Sequence, residues 1–252
     1  MPQLEVLLIN FYFAVTNRDV ERQLIRMPIT THLTLPNLRS FTLRAVSAYS
    51  EAVLSRITAS RLDYFQICYP NQLTFSVPQL VQFMGRTDNF RFDRAKFIFH
   101  GKQVYVFVNP RETNSIQEDA FSVNVDCWHL DWQVSSVVQI FNALSQLFSP
   151  VERLNLVHQT HSQSSEEHNE VDRTEWRKLL RSFSKVKTLD IEDGLVMEFS
   201  RCLRLDDGED PLDLLPELQE LVYSGRGNAD DAFTSFIDAR QKAGRPVTLI
   251  KS

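Results

Sequence analysis

The sequence predicts an α/β fold: an irregular solenoid with short parallel strands on the concave side, helices on the convex side, and an antiparallel meander inserted near 94–125. Two observations carry that prediction. In PNLRSFTL the apolar residues Leu38, Phe41 and Leu43 stand at spacing three then two, and the pattern recurs along the chain. It returns as Leu4, Leu7 and Ile9, as Leu62, Phe65 and Ile67, and as Val151, Leu154 and Leu156. Val186, Leu189 and Ile191, and then Leu218, Leu221 and Tyr223, complete the series. The other observation is a run of period-two alternation: Phe97 and Phe99, then Val104, Val106 and Val108, then Phe121, Val123 and Val125.

Within each unit the pair spaced by two points to one face of a strand, and the residue between them points to the other. The first apolar residue plugs the corner below. One unit cannot bury its apolar face alone, so neighbours stack into a continuous core. First positions 4, 38, 62, 151, 186 and 218 are separated by 34, 24, 89, 35 and 32 residues, which makes these degenerate leucine-rich repeats of one domain over 1–252.

The elements follow in order. Residues 1–13 open directly as a strand with no polar cap before it, so the chain is expected to begin inside a repeat, truncated at its amino terminus. A short helix is expected over 17–26, stopped by Pro28, and a strand over 39–44. Tyr49, Val53, Leu54 and Ile57 place a helix over 48–57, and a strand follows over 62–67. Pro78 suits a first helical turn, with Leu80, Phe83 and Met84 on the apolar face. A weak strand is expected over 89–92.

The three alternating runs over 94–125 read as antiparallel strands standing where a repeat helix would otherwise lie, placed to shield the convex face or to offer a binding edge. His100-Gly101-Lys102 is their first turn. Val134, Val137, Val138, Phe141 and Phe148 mark one helix over 133–148, ended by Pro150. A strand over 153–157 precedes a polar loop over 158–171. Trp176, Leu179, Leu180 and Phe183 rebuild a helix before a strand over 187–191, and Leu195, Phe199, Cys202 and Leu203 mark the next helix. The acidic turn 205–211, a last helix over 229–242 and a strand over 246–250 close the chain.

Composition bounds the function. Hydrophobic residues make up 43% and charged residues 23%, the balance of a soluble globular protein. A net charge of -5 with no lysine or arginine stripe speaks against nucleic acid as a partner. No apolar run reaches membrane-spanning length, and the run 6–13, preceded by Glu5, reads as a buried strand and not a signal peptide. Cys68, Cys127 and Cys202 lack paired spacing, which suits small core residues in a reducing, cytoplasmic or nuclear compartment.

The stretches DCWHLDWQVSSVVQIFNALSQLFSPVERLNL, EVDRTEWRKLLRSFSKVKTLDIEDGL and LLPELQELVY, followed by FTSFIDARQKAGRPVTL, resemble the leucine-rich-repeat portion of fungal, basidiomycete-type F-box proteins. The resemblance implies the substrate-recognition half of a ubiquitin-ligase receptor, whose F-box would dock on the Skp1 adaptor. No LPxE-type F-box segment occurs here, so Skp1 is a partner only if an F-box is encoded upstream, and the protein target is unspecified.

No GxxxxGK, GxGxxG, GxSxG or HExxH occurs, and no catalytic residue, cofactor or metal is expected. His158, His161 and His168 with Glu166, Glu167 and Glu170 match no zinc spacing and read as a solvated loop. Asp206, Asp207, Glu209 and Asp210 resemble a calcium loop in composition only and read as a surface turn. Cys127 and His129 share a strand face, but no orienting acid accompanies them, and Trp128 and Trp132 are expected to seal the core. An enzyme using that pair, and a truncated, nonfunctional repeat remnant, stand as alternatives to protein recognition. The expected recognition residues are those pointing away from the core at mid-strand: Glu5 or Leu8, Thr42, Gln66, Asn155, Asp190 and Val222.

Overall fold

The computed structural model describes residues 3–11, 31–87, 90, 92–109, 120–159, 171–206, 208–224 and 233–252. Ten strands form one sheet: β1 (Val6–Asn10), β3 (Ser40–Arg44), β5 (Tyr64–Tyr69), β6 (Arg94–His100), β7 (Gln103–Asn109), β8 (Phe121–Asp126), β9 (Arg153–Gln159), β10 (Thr188–Ile191), β11 (Glu220–Tyr223) and β12 (Thr248–Lys251). Two short strands, β2 (Leu33–Thr34) and β4 (Ile57–Thr58), pair separately. Seven α-helices lie among the described residues: α1 (Ser47–Leu54), α2 (Pro78–Gly85), α3 (Leu130–Ala143), α4 (Ser145–Phe148), α5 (Arg173–Arg181), α6 (Val196–Leu203) and α7 (Thr234–Lys242). The sheet order is β1-β3-β5-β8-β7-β6-β9-β10-β11-β12, parallel throughout except where β7 meets β6 and β8.

The repeat motif sets the register. Leu7, Phe41 and Phe65 stand side by side on adjacent strands, as do Leu154, Leu189, Leu221 and Leu249. The corner residues Leu38, Leu62, Val151, Val186 and Leu218 are buried beneath them. At each corner two successive N–H groups donate to one carbonyl of the preceding unit. Arg39 and Ser40 use Glu5 O, Asp63 and Tyr64 use Arg39 O, Lys187 and Thr188 use Glu152 O, and Gln219 and Glu220 use Lys187 O, all at 2.8–3.1 Å. A further apolar residue stands three positions earlier: Leu35, Phe148, Phe183 and Leu215 each accept, through the backbone, from the corner residue's N–H.

This geometry reveals an unforeseen unit. Glu152 and Arg153 both donate to Asp93 O (2.8 and 3.0 Å), the carbonyl that follows Phe92. Phe92, Ala95 and Phe97 therefore occupy the three motif positions, all buried, and β6 aligns with β9 through Ala95 opposite Leu154 and Phe97 opposite Leu156. The strand expected over 89–92 is displaced accordingly: Phe90 and Phe92 precede the strand, which begins at Arg94. The meander does not lie over the helices. Its three strands are interior to the main sheet, between β5 and β9.

Other boundaries shift for local reasons. α1 ends at Leu54, and Ile57 enters β4 instead of the helix. The helix expected over 133–148 starts at Leu130 and breaks at Leu144 (φ -94°, ψ 6°), leaving α4 as a separate turn. β9 runs on to Gln159 because β6 pairs with it as far as His100 opposite Gln159. The helix expected over 17–26 and residues 225–232 lie outside the described residues.

Core-facing side chains meet the helices through a chain of aromatic contacts. Phe41 stacks on Phe65 (5.3 Å between ring centroids), and Phe65 on Phe121 (5.7 Å). Phe83 of α2 meets Phe65 at 5.1 Å, Phe141 of α3 meets Phe97 at 5.1 Å, and Trp176 of α5 meets Phe99 at 5.3 Å. In α7 the buried residues are Phe236 and, unexpectedly for an arginine, Arg240 at 0% exposure. Its guanidinium donates to the carbonyls of Pro211, Pro216 and Leu218 at 3.1–3.3 Å. It thereby ties down the turn in which Leu215 adopts a positive φ of 50°.

Phe65 joins three strands and one helix through its ring, so Phe65→Ala is expected to cost about 3–5 kcal/mol in a urea melt. A loss below about 1 kcal/mol would show that the core collapses around the deletion and that the aromatic chain is not continuous.

Candidate protein-recognition surface

The residues between the core-facing positions form the opposite face of the sheet, and the register makes them one line. Leu8 stands opposite Thr42, Thr42 opposite Gln66, Gln66 opposite Ser122, and Ser122 opposite Phe107. Phe107 is opposite Lys96, Lys96 opposite Asn155, Asn155 opposite Asp190, Asp190 opposite Val222, and Val222 opposite Ile250. Six of the seven expected positions thus fall on a single row that crosses all ten strands. Glu5 does not: it precedes β1, and its carbonyl serves the corner at Arg39 and Ser40. Leu8 takes its place.

Ser122, Phe107, Lys96 and Ile250 complete the row and were not foreseen. The alternation Ala95-Lys96-Phe97 already puts Lys96 on the face away from the core. Only the position of the meander within the sheet brings it beside Asn155.

The row is chemically graded. Toward β1 it is apolar and neutral, with Leu8 at 66% exposure. Ser122 is buried between Gln66 and Phe107, and its Oγ has no hydrogen-bond partner among the described residues. Asn155 Nδ2 donates to Asp190 Oδ2 at 3.1 Å, which orients the amide and leaves Asn155 Oδ1 buried and unpartnered. Partial burial pushes the Asp190 carboxyl above the ordinary aspartate range, and Lys96 partly offsets that. Around Lys96 and Asn155 the surface dips into a concavity of about 490 Å³, lined also by Arg94, Arg153, Thr188 and Glu220.

Cys127 and His129 contact different neighbours. Burial pushes the Cys127 thiol up to about 12, with its Sγ 3.9 Å from the Val125 carbonyl and beside the Ser136 side chain. His129 packs edge-on against Trp132, centroids 4.5 Å apart. The two tryptophans do not seal the core: Trp128 is 59% and Trp132 42% exposed, with Lys102 Nζ 4.2 Å from the Trp128 ring centroid. Trp176 is the buried tryptophan.

The acidic turn is held by arginines. Arg173 donates to both Asp206 carboxylate oxygens (2.9 and 2.8 Å). Arg177, buried in α5, pairs with Glu209 and donates to the Cys202 and Arg204 carbonyls at 3.0 and 3.1 Å. Asp207 lies outside the described residues, as do His161, Glu166, Glu167, His168 and Glu170, while His158 belongs to β9. Among the described residues no three His, Cys, Asp or Glu side chains gather in a metal-binding group, and no helix is long and apolar enough to cross a membrane. Comparison with family models, with curated proteins and with solved structures finds no match to this chain.

Two predictions follow from these side chains. Burial raises all three thiols, Cys68 to about 11 and Cys127 and Cys202 to about 12. None should react with a thiol reagent at pH 8 until denaturant is added, and rapid labelling of Cys127 in the native protein would reopen the nucleophile reading.

The Arg177 guanidinium holds Glu209 down at about 2, against 4.5 for a free side chain. A depressed carboxylate stabilises the fold fully above its unfolded value and loses that contribution as pH falls through its folded value. The stability difference between the native chain and Glu209→Gln should therefore be constant above about pH 5 and shrink between about 4.5 and 2. A difference unchanged at pH 2.5 in urea melts would disprove the pairing.

Proposed function

We propose that the chain is an irregular leucine-rich-repeat solenoid that recognises a protein partner noncovalently on the concave, open face of its sheet, with its helices on the convex side. The observation that carries this reading is the single row from Leu8 to Ile250, which presents one side chain per strand on the face opposite the core. A row of that kind suits an extended protein surface better than a small molecule, because its side chains are spread across ten strands.

The resemblance to the repeat portion of F-box proteins supplies the biological form of the proposal: the target-holding half of a ubiquitin-ligase receptor. Docking on Skp1 would need an F-box segment in addition to the residues described here. One observation favours a second reading, an inert and aggregation-prone repeat product: among the described residues β1 forms a sheet edge whose Val6 and Leu8 are 64% and 66% exposed. A monomer at high concentration in sedimentation velocity would eliminate it.

The direct test is proximity crosslinking in cells with the native chain and with Thr42→Arg/Val222→Arg. Both side chains point away from the core, so the variant should melt within about 0.5 kcal/mol of the native chain. It should lose the partner that the native chain crosslinks. A partner retained by both proteins would place recognition elsewhere.

A further inference from the structure

We infer that the concavity around Arg94, Lys96 and Arg153 takes an extended peptide segment of the partner, with an acidic side chain over β6 and β9 and a basic side chain over β10 and β11. This rests on the open face being the recognition surface and names the chemistry of what binds there. Arg94 stands directly opposite Arg153 on neighbouring parallel strands, and Lys96 lies one position further along the same face of β6. All three are exposed. Like charges placed opposite each other destabilise a sheet, so this pairing works against the fold. Among the described residues the one ion pair within 4 Å that these three make is Arg94 Nε with Asp93, at 3.9 Å.

The next two strands carry the opposite sign. Asp190 stands on β10 and Glu220 on β11, where Thr188 Oγ1 donates to Glu220 at 3.2 Å. The charge boundary thus falls between β9 and β10 and runs along the strands. A ligand crossing the strands meets cations first and carboxylates next.

Strands lie about 4.8 Å apart, so β6 to β11 spans about 14 Å, or about four residues of extended peptide at ~3.4 Å each. Side chains four apart in an extended segment point the same way, so an acidic and a basic residue at that spacing both face the sheet. Asn109 Oδ1 and Asn155 Oδ1, which line the concavity, are acceptors without partners among the described residues. They call for a donor, which a peptide N–H supplies and a phosphate does not. Asp190 and Glu220 also repel a polyanion, which favours a peptide over a nucleic acid.

The test uses the full chain at low ionic strength and two fluorescein-labelled peptides of equal composition. One is Glu-Glu-Gly-Ser-Gly-Lys-Lys and the other is Lys-Gly-Glu-Ser-Lys-Gly-Glu, in which residues four apart carry like charges. Fluorescence anisotropy should show the polarised peptide binding about tenfold more tightly than the mixed one. Arg94→Thr/Arg153→Thr should abolish that preference, while Arg56→Thr/Lys185→Thr, at exposed cations outside the concavity, should keep it.

The Arg94→Thr/Arg153→Thr protein should melt at an equal or higher temperature than the native chain, because opposed charges are removed. Should it unfold instead, Lys96→Gln replaces it as the variant expected to weaken the preference. Equal binding of the two peptides, or a preference that survives in Arg94→Thr/Arg153→Thr, overturns the inference. So does a single-stranded oligonucleotide that binds through Arg94 and Arg153 more tightly than the polarised peptide. Loss of the cellular partner on Thr42→Arg/Val222→Arg, with no effect of Arg94→Thr/Arg153→Thr on partner or peptide, would overturn the ligand class and leave the surface standing.

Discussion

The corner hydrogen bonds are the constraint on which the rest of this structure depends. Wherever two successive N–H groups converge on one carbonyl of the neighbouring unit, the start of the strand is fixed to a single residue. A slip by one residue would send every core side chain of that strand to the open face. The buried corner residue and its apolar companion three positions earlier make such a slip costly, because both leave water only in the native register. Irregular loop lengths are then harmless, since each strand finds its place from its own corner and not from its distance to the last.

The same constraint explains why the meander enters the plane of the sheet. β6 begins with a complete corner of its own at Phe92 and Asp93, and it pairs with β9 as any unit would. That leaves two strands to accommodate on the side of β5. An antiparallel meander of three strands has its first and last running in the same direction, so β6 is parallel to β9 while β8 is parallel to β5. An added pair of strands therefore widens the sheet without reversing either half, and it preserves the alternation of core and open faces across the join.

Much of this was legible in the sequence because apolar spacing and strand register express the same periodicity. Leu154, Leu189 and Leu221 announce their alignment directly. The unit at Phe92 was hidden because Ala95, too small to read as a core position, stands where its neighbours carry leucine, and because Phe90 and Phe92 imitate a strand. Trp128 and Trp132 misled for a related reason: a large aromatic residue predicts burial only when something packs over it, and here Lys102 sits on one ring and His129 on the other. Arg240 is the converse case. Nothing local shows that an arginine will be fully buried, because its partners are carbonyls in a turn more than twenty residues away in sequence. The row of outward residues was legible strand by strand, whereas the contribution of Lys96, Phe107 and Ser122 depended on topology.

The two faces of the sheet obey different rules, and that difference separates what serves folding from what does not. On the core face apolar spacing and strand register agree from unit to unit, as expected of a sequence selected to specify one structure. On the open face local rules are broken close together. Arg94 opposes Arg153, Asp190 holds a carboxyl partly out of water, and Ser122 Oγ and Asn155 Oδ1 lack partners. Each of these departures works against stability: a neutral residue in place of one arginine or of Asp190, or an apolar one in place of Ser122 or Asn155, would relieve it. Arg94, Arg153, Asn155 and Asp190 lie together on β6, β9 and β10, on the side of the sheet away from the core, although buried polar atoms without partners among the described residues, such as Tyr69 Oη and Trp176 Nε1, occur on the core side as well. A partner bound on the open face, as proposed, would supply the hydrogen bonds and the opposing charge that these residues lack.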